Sequence, residues 1–417
     1  MHATFERKGY AMAEPKNGQV GRREFLKATA ATAGLLIVRP EAVAGAEANS
    51  KIRLGLVGCG GRGGWIANLF QDDGRYEIVA VADYFKDRAN GVGEKFKIPA
   101  ERRHTGLDGY KALLQGKVDA VAVESPPYFH PEQAVAAIQA GKHTYIAKPI
   151  AVDAPGALAI ADAAAKAKDK LSVLVDFQTR VNEFYQGAYQ QICDGLIGKP
   201  VCGQAYYHTG RLGLQAKPGT EMARLRNWVF DKALSGDIIV EQNIHALDVA
   251  CWFLRGHPVK AYGAGGRKAR TDVGDCWDHF VVTYWFPDDV LLDFSSNQCA
   301  PGYDDICCRI YGSLGTVDSH YGGLVNIRAK TGGYRGGQTA SIYKDGAVAN
   351  IKRFADGILA GKFASNAEES AQSTLTAILG RIAAYENRVV TWDEMIKAGA
   401  KMDPKLDLPA GGPDATA

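Results

Sequence analysis

The run "IRLGLVGCGGRGG", residues 52–64, constrains the fold more than any other stretch. A short apolar segment reads as a strand, and Gly58-Cys59-Gly60-Gly61-Arg62-Gly63 follows it directly as a G-x-G-x-x-G opening into a helix. Gly58 permits the tight turn, Gly60 lets the backbone approach a pyrophosphate, and Gly63 lets helix and strand pack closely. The helix N-terminus adds amide groups and a partial positive charge that suit phosphate. Glycine-rich turns are common, but here the context is complete: a strand before, a helix after, and Asp83 closing the second strand "YEIVAVAD". An acid about 20 residues beyond the loop is expected to hold the adenosine ribose hydroxyls. Its charge repels a 2′-phosphate and favours NAD, while Arg88 close by leaves NADP open. The competing role for Asp83 is a helix N-cap.

From residue 51 onward, near-continuous apolar strands alternate with helical stretches: "VDAVAVES", "PEQAVAAIQAGKH", "TYIAKP", an Ala-rich helix and "LSVLVDF". That pattern predicts an α/β domain with a doubly wound parallel sheet over 51–175. Residues 176–400 read as a second α/β domain whose strands, such as "VCGQAYYHTGR" and "HFVVTYWF", alternate at period two. In the latter, Phe280, Val282, Tyr284 and Phe286 share one face, and Pro287-Asp288-Asp289 turns the chain. A large, mostly antiparallel sheet follows, covered by helices on one face and free on the other for a ligand or partner subunit. Residues 401–417 read as a flexible tail.

The N-terminal 46 residues read as an address. Arg22-Arg23 precede Phe25, Leu26 and Lys27, and an apolar run of 11 residues follows over 28–38. A membrane span needs about 20 residues, whereas a signal core needs roughly 7 to 15. Ala44-Gly45-Ala46 offers a small-residue cleavage site. The pattern matches a twin-arginine signal, so the expectation is translocase-dependent export to the periplasm. Residues 1–46 hold seven basic and four acidic residues of the 49 and 46 in the whole chain, which leaves 42 of each. A neutral remainder gives no reason to expect nucleic acid or an anionic membrane as partner. The eight cysteines form no C-x-x-C pair and no zinc-finger spacing, so neither a metal centre nor a disulfide framework is expected.

At "DAVAVESPPYFHPEQAVAAIQAGKHTYIAKP" the chain resembles the Gfo/Idh/MocA oxidoreductase family. The motifs are Ser125-Pro126, His130, Ala140-Gly141-Lys142-His143 and Ala147-Lys148-Pro149, and the likeness continues through "EQNIHALDVACWFLRGHP". It implies a Rossmann domain, a C-terminal α/β domain and NAD(P)-dependent hydride transfer at a secondary alcohol of a sugar or cyclitol. It also adds Ser125, Pro126, His130 and Lys148 to the cofactor contacts. Two positions depart from the family pattern. Ala147 stands where a glutamate precedes the lysine, and Glu241 where an aspartate lies four residues before the catalytic histidine.

Oxidising an alcohol needs a hydride acceptor and a base for the hydroxyl proton. Lys148 falls at the carboxyl end of a strand, where open α/β sheets bind ligands, and can stabilise a developing alkoxide; outside that context it reads as a surface charge. Glu241, His245 and Asp248, at i, i+4 and i+7, would share one helical face. A carboxylate beside His245 would raise its proton affinity and suit it to acid–base work; a metal site or a structural histidine are the alternatives. Arg180, Asp248, His208 and Trp228, with Tyr206 and Tyr207, are candidate substrate contacts, the aromatics being equally at home in a core. Export removes the enzyme from a recycling NAD pool, so the cofactor is expected to be tightly held. It would then be regenerated in place, by coupling two substrates or by a redox-neutral glycosidase cycle. A non-catalytic sugar-binding protein is the third reading. A dimer or tetramer through the free sheet face is expected.

Overall fold

The structure, a computed structural model, describes residues 51–299 and 302–413. The twin-arginine segment lies outside the described residues. Six parallel strands form the first sheet: β1 (Ile52–Val57), β2 (Tyr76–Asp83), β3 (Arg103–Thr105), β4 (Ala120–Val123), β5 (His143–Ile146) and β6 (Val173–Val175). Their order, β3-β2-β1-β4-β5-β6, is the doubly wound arrangement expected from the alternating pattern. The strands are buried on both faces, which is why they read as unbroken apolar runs.

A nine-stranded sheet follows: β7 (Pro200–Gly210), β8 (Lys260–Gly266), β9 (His279–Trp285), β10 (Leu291–Cys299), β11 (Asp305–Gly312), β12 (Gly315–His320), β13 (Leu324–Ala329), β14 (Gly333–Gln338) and β15 (Val390–Thr391). Its order is β14-β13-β12-β11-β7-β10-β9-β8-β15, antiparallel except between β7 and β10. Phe280, Val282, Tyr284 and Phe286 are all buried on the helix-covered side, as their spacing requires. Alternate residues such as Val281, Tyr262 and Leu291 stand exposed on the other face.

Two features break the linear domain reading. The helix Ile342–Leu359 crosses back onto the first sheet's layer, where Ile351 and Phe354 join a core with Leu54, Phe70, Tyr76 and Tyr145. The Tyr76 hydroxyl donates to the Ile351 carbonyl at 2.8 Å, and Trp65 stacks on Tyr343 at 4.8 Å. The first core is thus completed by residues far outside 51–175. Likewise, 401–413 is not a free tail. Met402 N–H donates to Asp153, Leu107 N–H donates to the Ala410 carbonyl, and Leu406 and Leu408 pack beside Tyr84, Phe85 and Leu225. The composition suggested fraying, but leucines at period two gave the segment an apolar edge to bury. Among the described residues no helix is long and apolar enough to cross a membrane.

Candidate active site

The glycine-rich turn packs as its sequence requires. Gly58 adopts φ +93°, and a Cβ there would lie 2.5 Å from backbone atoms of Glu124 and Ser125. A Cβ on Gly63 would lie 1.8 Å from the Gly58 carbonyl oxygen, whereas one on Gly61 would meet nothing within 4 Å. The loop is therefore pressed onto the sheet on one side and open on the other, the shape a pyrophosphate requires. Asp83 accepts from Cys59 N–H at 2.7 Å and Phe85 N–H at 2.8 Å, one bond to each carboxyl oxygen. The next helix is capped at Phe85 with no side-chain capping bond, so Asp83 is not its N-cap and instead holds the glycine turn and Phe85 together at the cleft edge. Arg88 lies against Gly60 and over the Phe85 ring, 5.1 Å from its centroid. A neighbouring pocket between Phe85, Leu107, Phe129 and Leu225 offers apolar walls to a flat heterocycle. Loop, acid and pocket together fit an adenine dinucleotide.

That region opens into a cleft lined by the glycine loop, Ser125, Pro126, His130, Lys148, Trp228, Glu241 and His245. Lys148 Nζ donates to Glu241 Oε1 at 3.1 Å and to the Glu241 carbonyl. Both side chains are mostly shielded, at 10% and 15% exposure. His130 is fully buried between the carbonyls of Ser125 and Pro149, at 2.7 and 2.8 Å. Burial pushes its pKa down to about 4 while the two carbonyls work against the fall, and a neutral ring can donate to only one of them. Its role is positional.

Several sequence expectations change here. Glu241 and His245 do not share a helix: one ends at Glu241, the next starts at Ile244, and Gln242 and Asn243 turn between them. Glu241 therefore turns to Lys148. His245 has no carboxylate partner, and Nδ1 is buried without a hydrogen bond. Burial, then Lys148 and Arg62, holds its pKa well below the usual value, opposite to the raised proton affinity expected. Asp248 and Arg180 are not in the cleft. They form a two-point ion pair with oxygen–nitrogen distances of 2.8 and 3.0 Å, and Ser373 donates to the same carboxylate. Arg180 also lies over Trp252 at 5.3 Å, a brace under the helix that carries His245. His208 points to the uncovered sheet face, bonded to Asn297 at 2.6 Å beside Tyr206, while its neighbour Tyr207 faces the cleft. Strand alternation separates them. Trp228 lines the cleft as expected.

The sequence reading missed Glu124, Asp176, Gln242, Tyr321 and Tyr343. Arg62, expected among the cofactor contacts of the loop, instead turns its guanidinium inward: it contacts Glu124 at 3.0 Å, ion-pairs with Asp176 and donates to the Tyr343 hydroxyl. A charged residue closing an apolar strand, as in "VAVE" and "VLVD", was the available signal. Next to Tyr321 of the cleft wall, Cys307, Asp318 and His320 bring their ligating atoms within 4.8 Å of one another. Asp318 also pairs with Arg309, and hydrogen bonding to Asp318 raises His320 to about 11.

Two family models match the chain: an oxidoreductase family, NAD-binding Rossmann fold over residues 52–175, and a GFO/IDH/MocA C-terminal domain over 185–318. The chain belongs to the Gfo/Idh/MocA oxidoreductase family. It is an NAD-binding oxidoreductase. Among its relatives in the family, the inositol 2-dehydrogenase of Pseudomonas fluorescens (strain SBW25) is 29% identical over 280 residues, 67% of this chain and 77% of that one. The inositol 2-dehydrogenase of Klebsiella pneumoniae (strain 342) is 28% identical over 266 residues, 63% of this chain and 72% of that one. In fold, the chain resembles levoglucosan dehydrogenase in complex with NADH and levoglucosan, with a TM-score of 0.67 and 17% identity over 82% of this chain and 99% of that one. Myo-inositol 2-dehydrogenase from Lactobacillus plantarum is also similar, with a TM-score of 0.65 and 20% identity over 82% of this chain and 99% of that one.

Proposed function

We propose that this enzyme moves a hydride between a tightly held NAD and a secondary alcohol of a sugar or cyclitol, and that it works after export by the twin-arginine route. One observation carries the reading of the chemistry: the Lys148–Glu241 pair and a neutral His245 line the same cleft as the glycine loop and Asp83. Gly58, Gly60, Gly63 and Asp83 would hold the dinucleotide, whose nicotinamide supplies the hydride acceptor when bound. Lys148, anchored by Glu241, offers its remaining ammonium hydrogens to the reacting oxygen and stabilises negative charge building there. His245, neutral at physiological pH, keeps one imidazole nitrogen as an acceptor for the hydroxyl hydrogen. Trp228 and Tyr207 supply apolar faces for the C–H side of a ring and Gln242 an amide for its hydroxyls.

Retention of NAD fits the coverage of the adenosine end, where residues 402–410 back the wall made by Phe85 and Leu225. The uncovered face of the nine-stranded sheet is the proposed contact of a dimer or tetramer. The first experiment is to denature protein purified from its exported fraction without added nucleotide and to look for released dinucleotide by absorbance and mass spectrometry. Stoichiometric NAD is the expected result, and empty protein overturns retention. Turnover of cyclitols and sugars is then read as reduction of the bound cofactor. Cleavage of a glycoside with no lasting reduction would replace this reading with the redox-neutral one.

A further inference from the structure

Glu124 lines the cleft and has no part in the scheme above. It follows β4 directly beneath the glycine turn, where a Cβ on Gly63 would lie 3.6 Å from its own Cβ. Its side chain has no exposure to solvent. Arg62 Nε is 3.0 Å from Oε2 but off the line of a hydrogen bond, so neither oxygen accepts one among the described residues. The charged and titratable groups around it come from four elements. Arg62 belongs to the helix Gly61–Asp73, and Lys148 and Tyr145 to β5 and its end. Asp176 follows β6 and is bonded to Arg62, Gln178 and Asn350. Tyr343, from the helix Ile342–Leu359, holds the far side of Arg62.

A buried carboxyl without hydrogen bonds is costly as an anion, and one guanidinium shared between two carboxylates offsets only part of that cost. Burial accordingly pushes Glu124 up to about 7, with Arg62 working against the rise and Asp176 adding to it. Its two protonation states are close to balanced at neutral pH. His245, by contrast, is held neutral and gives up any proton it receives.

We propose that Glu124 stores the proton released when the substrate hydroxyl is oxidised and returns it when a carbonyl is reduced, with Arg62 and Asp176 as its fixed counter-charges. The proposal rests on the reading of a retained NAD. In oxidation, the C–H bond of the substrate would break with its electron pair leaving as hydride, which a bound NAD would accept. The O–H electron pair becomes the new C=O bond, and the proton ends on Glu124. Reduction of a second carbonyl compound reverses each step and takes both hydride and proton back. Hydride delivery would remove one positive charge from the cleft and protonation of Glu124 one negative charge, so the site would keep its net charge through the cycle. Beside a carboxyl with no solvent exposure that balance matters more than it would in solution.

The test is infrared difference spectroscopy of the holoenzyme at neutral pH, before and after chemical reduction of its dinucleotide with dithionite. A protonated-carboxyl C=O band is expected to grow in on reduction and to be absent in Glu124→Gln. If the protein is purified without nucleotide, saturating NAD is added, so failure of retention is seen separately from failure of the proton store. Asp176→Asn, which removes the neighbouring negative charge, is expected to shift the onset of the band to lower pH. A band that persists unchanged in Glu124→Gln, or no band in the parent enzyme, overturns the proposal.

Discussion

Burying Glu124 has a price in stability that depends on pH. Its pKa stands at about 7 in the folded protein against the ordinary glutamate value of 4.5. A folded-state pKa raised above the unfolded one contributes stability that is fully present below the unfolded value and lost as pH rises through the folded value. The window is therefore roughly pH 4 to 7, and about 2.5 units at 1.36 kcal/mol each gives a loss on the order of 3 kcal/mol across it. His245, His130 and His143 work the other way. Burial lowers all three pKa values, so each costs stability as pH falls below its unfolded value. The total curve thus mixes opposing slopes, and only a difference isolates Glu124. Denaturant unfolding of nucleotide-free protein and of Glu124→Gln across that range is the assay. The advantage of the parent over the variant should shrink by about 3 kcal/mol as pH rises from 4 to 8. A pH-independent difference would refute the assignment of Glu124 as a buried, near-neutral titrating group.

Gly63→Ala drives a methyl into the Gly58 carbonyl at 1.8 Å, so the turn must open; NAD affinity by titration calorimetry should fall at least about tenfold, with Gly61→Ala much milder. Lys148→Ala should lower kcat by roughly 10²–10⁴ while bound NAD is retained, measured by single-turnover absorbance. Arg180→Ala leaves the buried Asp248 carboxylate unpaired and should cost about 3–5 kcal/mol of stability with little change in KM, since the pair braces a helix and does not touch the cleft. Removal of residues 401–417 should speed dinucleotide release and raise binding of a hydrophobic dye, because Leu406 and Leu408 leave Tyr84 and Phe85 exposed.

What could be read from the sequence was local. The G-x-G-x-x-G and Asp83 sit within one strand–helix–strand unit, so spacing alone was enough to expect them side by side, and they line one cleft. The strand face of Phe280, Val282 and Tyr284 was equally legible because period two needs no partner to be recognised. The helical grouping of Glu241, His245 and Asp248 failed where the backbone turned at Gln242–Asn243, a break that the i, i+4, i+7 spacing conceals. Each carboxylate then found a cation distant in sequence, Lys148 just beyond β5 or Arg180 in the short turn Thr179–Val181. The network of Arg62, Glu124 and Asp176 could not be seen at all, since its members lie 52 to 114 positions apart and meet only at the strand ends of the folded sheet.

The return of the helix Ile342–Leu359 to the first sheet sets a timetable for the chain's birth. The segment 51–175 emerges from synthesis with the flank of Phe70, Tyr76 and Tyr145 still bare, because Ile351 and Phe354 come about 180 residues later. At about 5–20 residues per second that delay is roughly 10–40 s. During that interval the nascent nucleotide-binding half presents a sticky aromatic surface to its surroundings. A gene fragment ending at residue 175 would carry the same wound permanently, so the two halves are inherited, made and finished as one object.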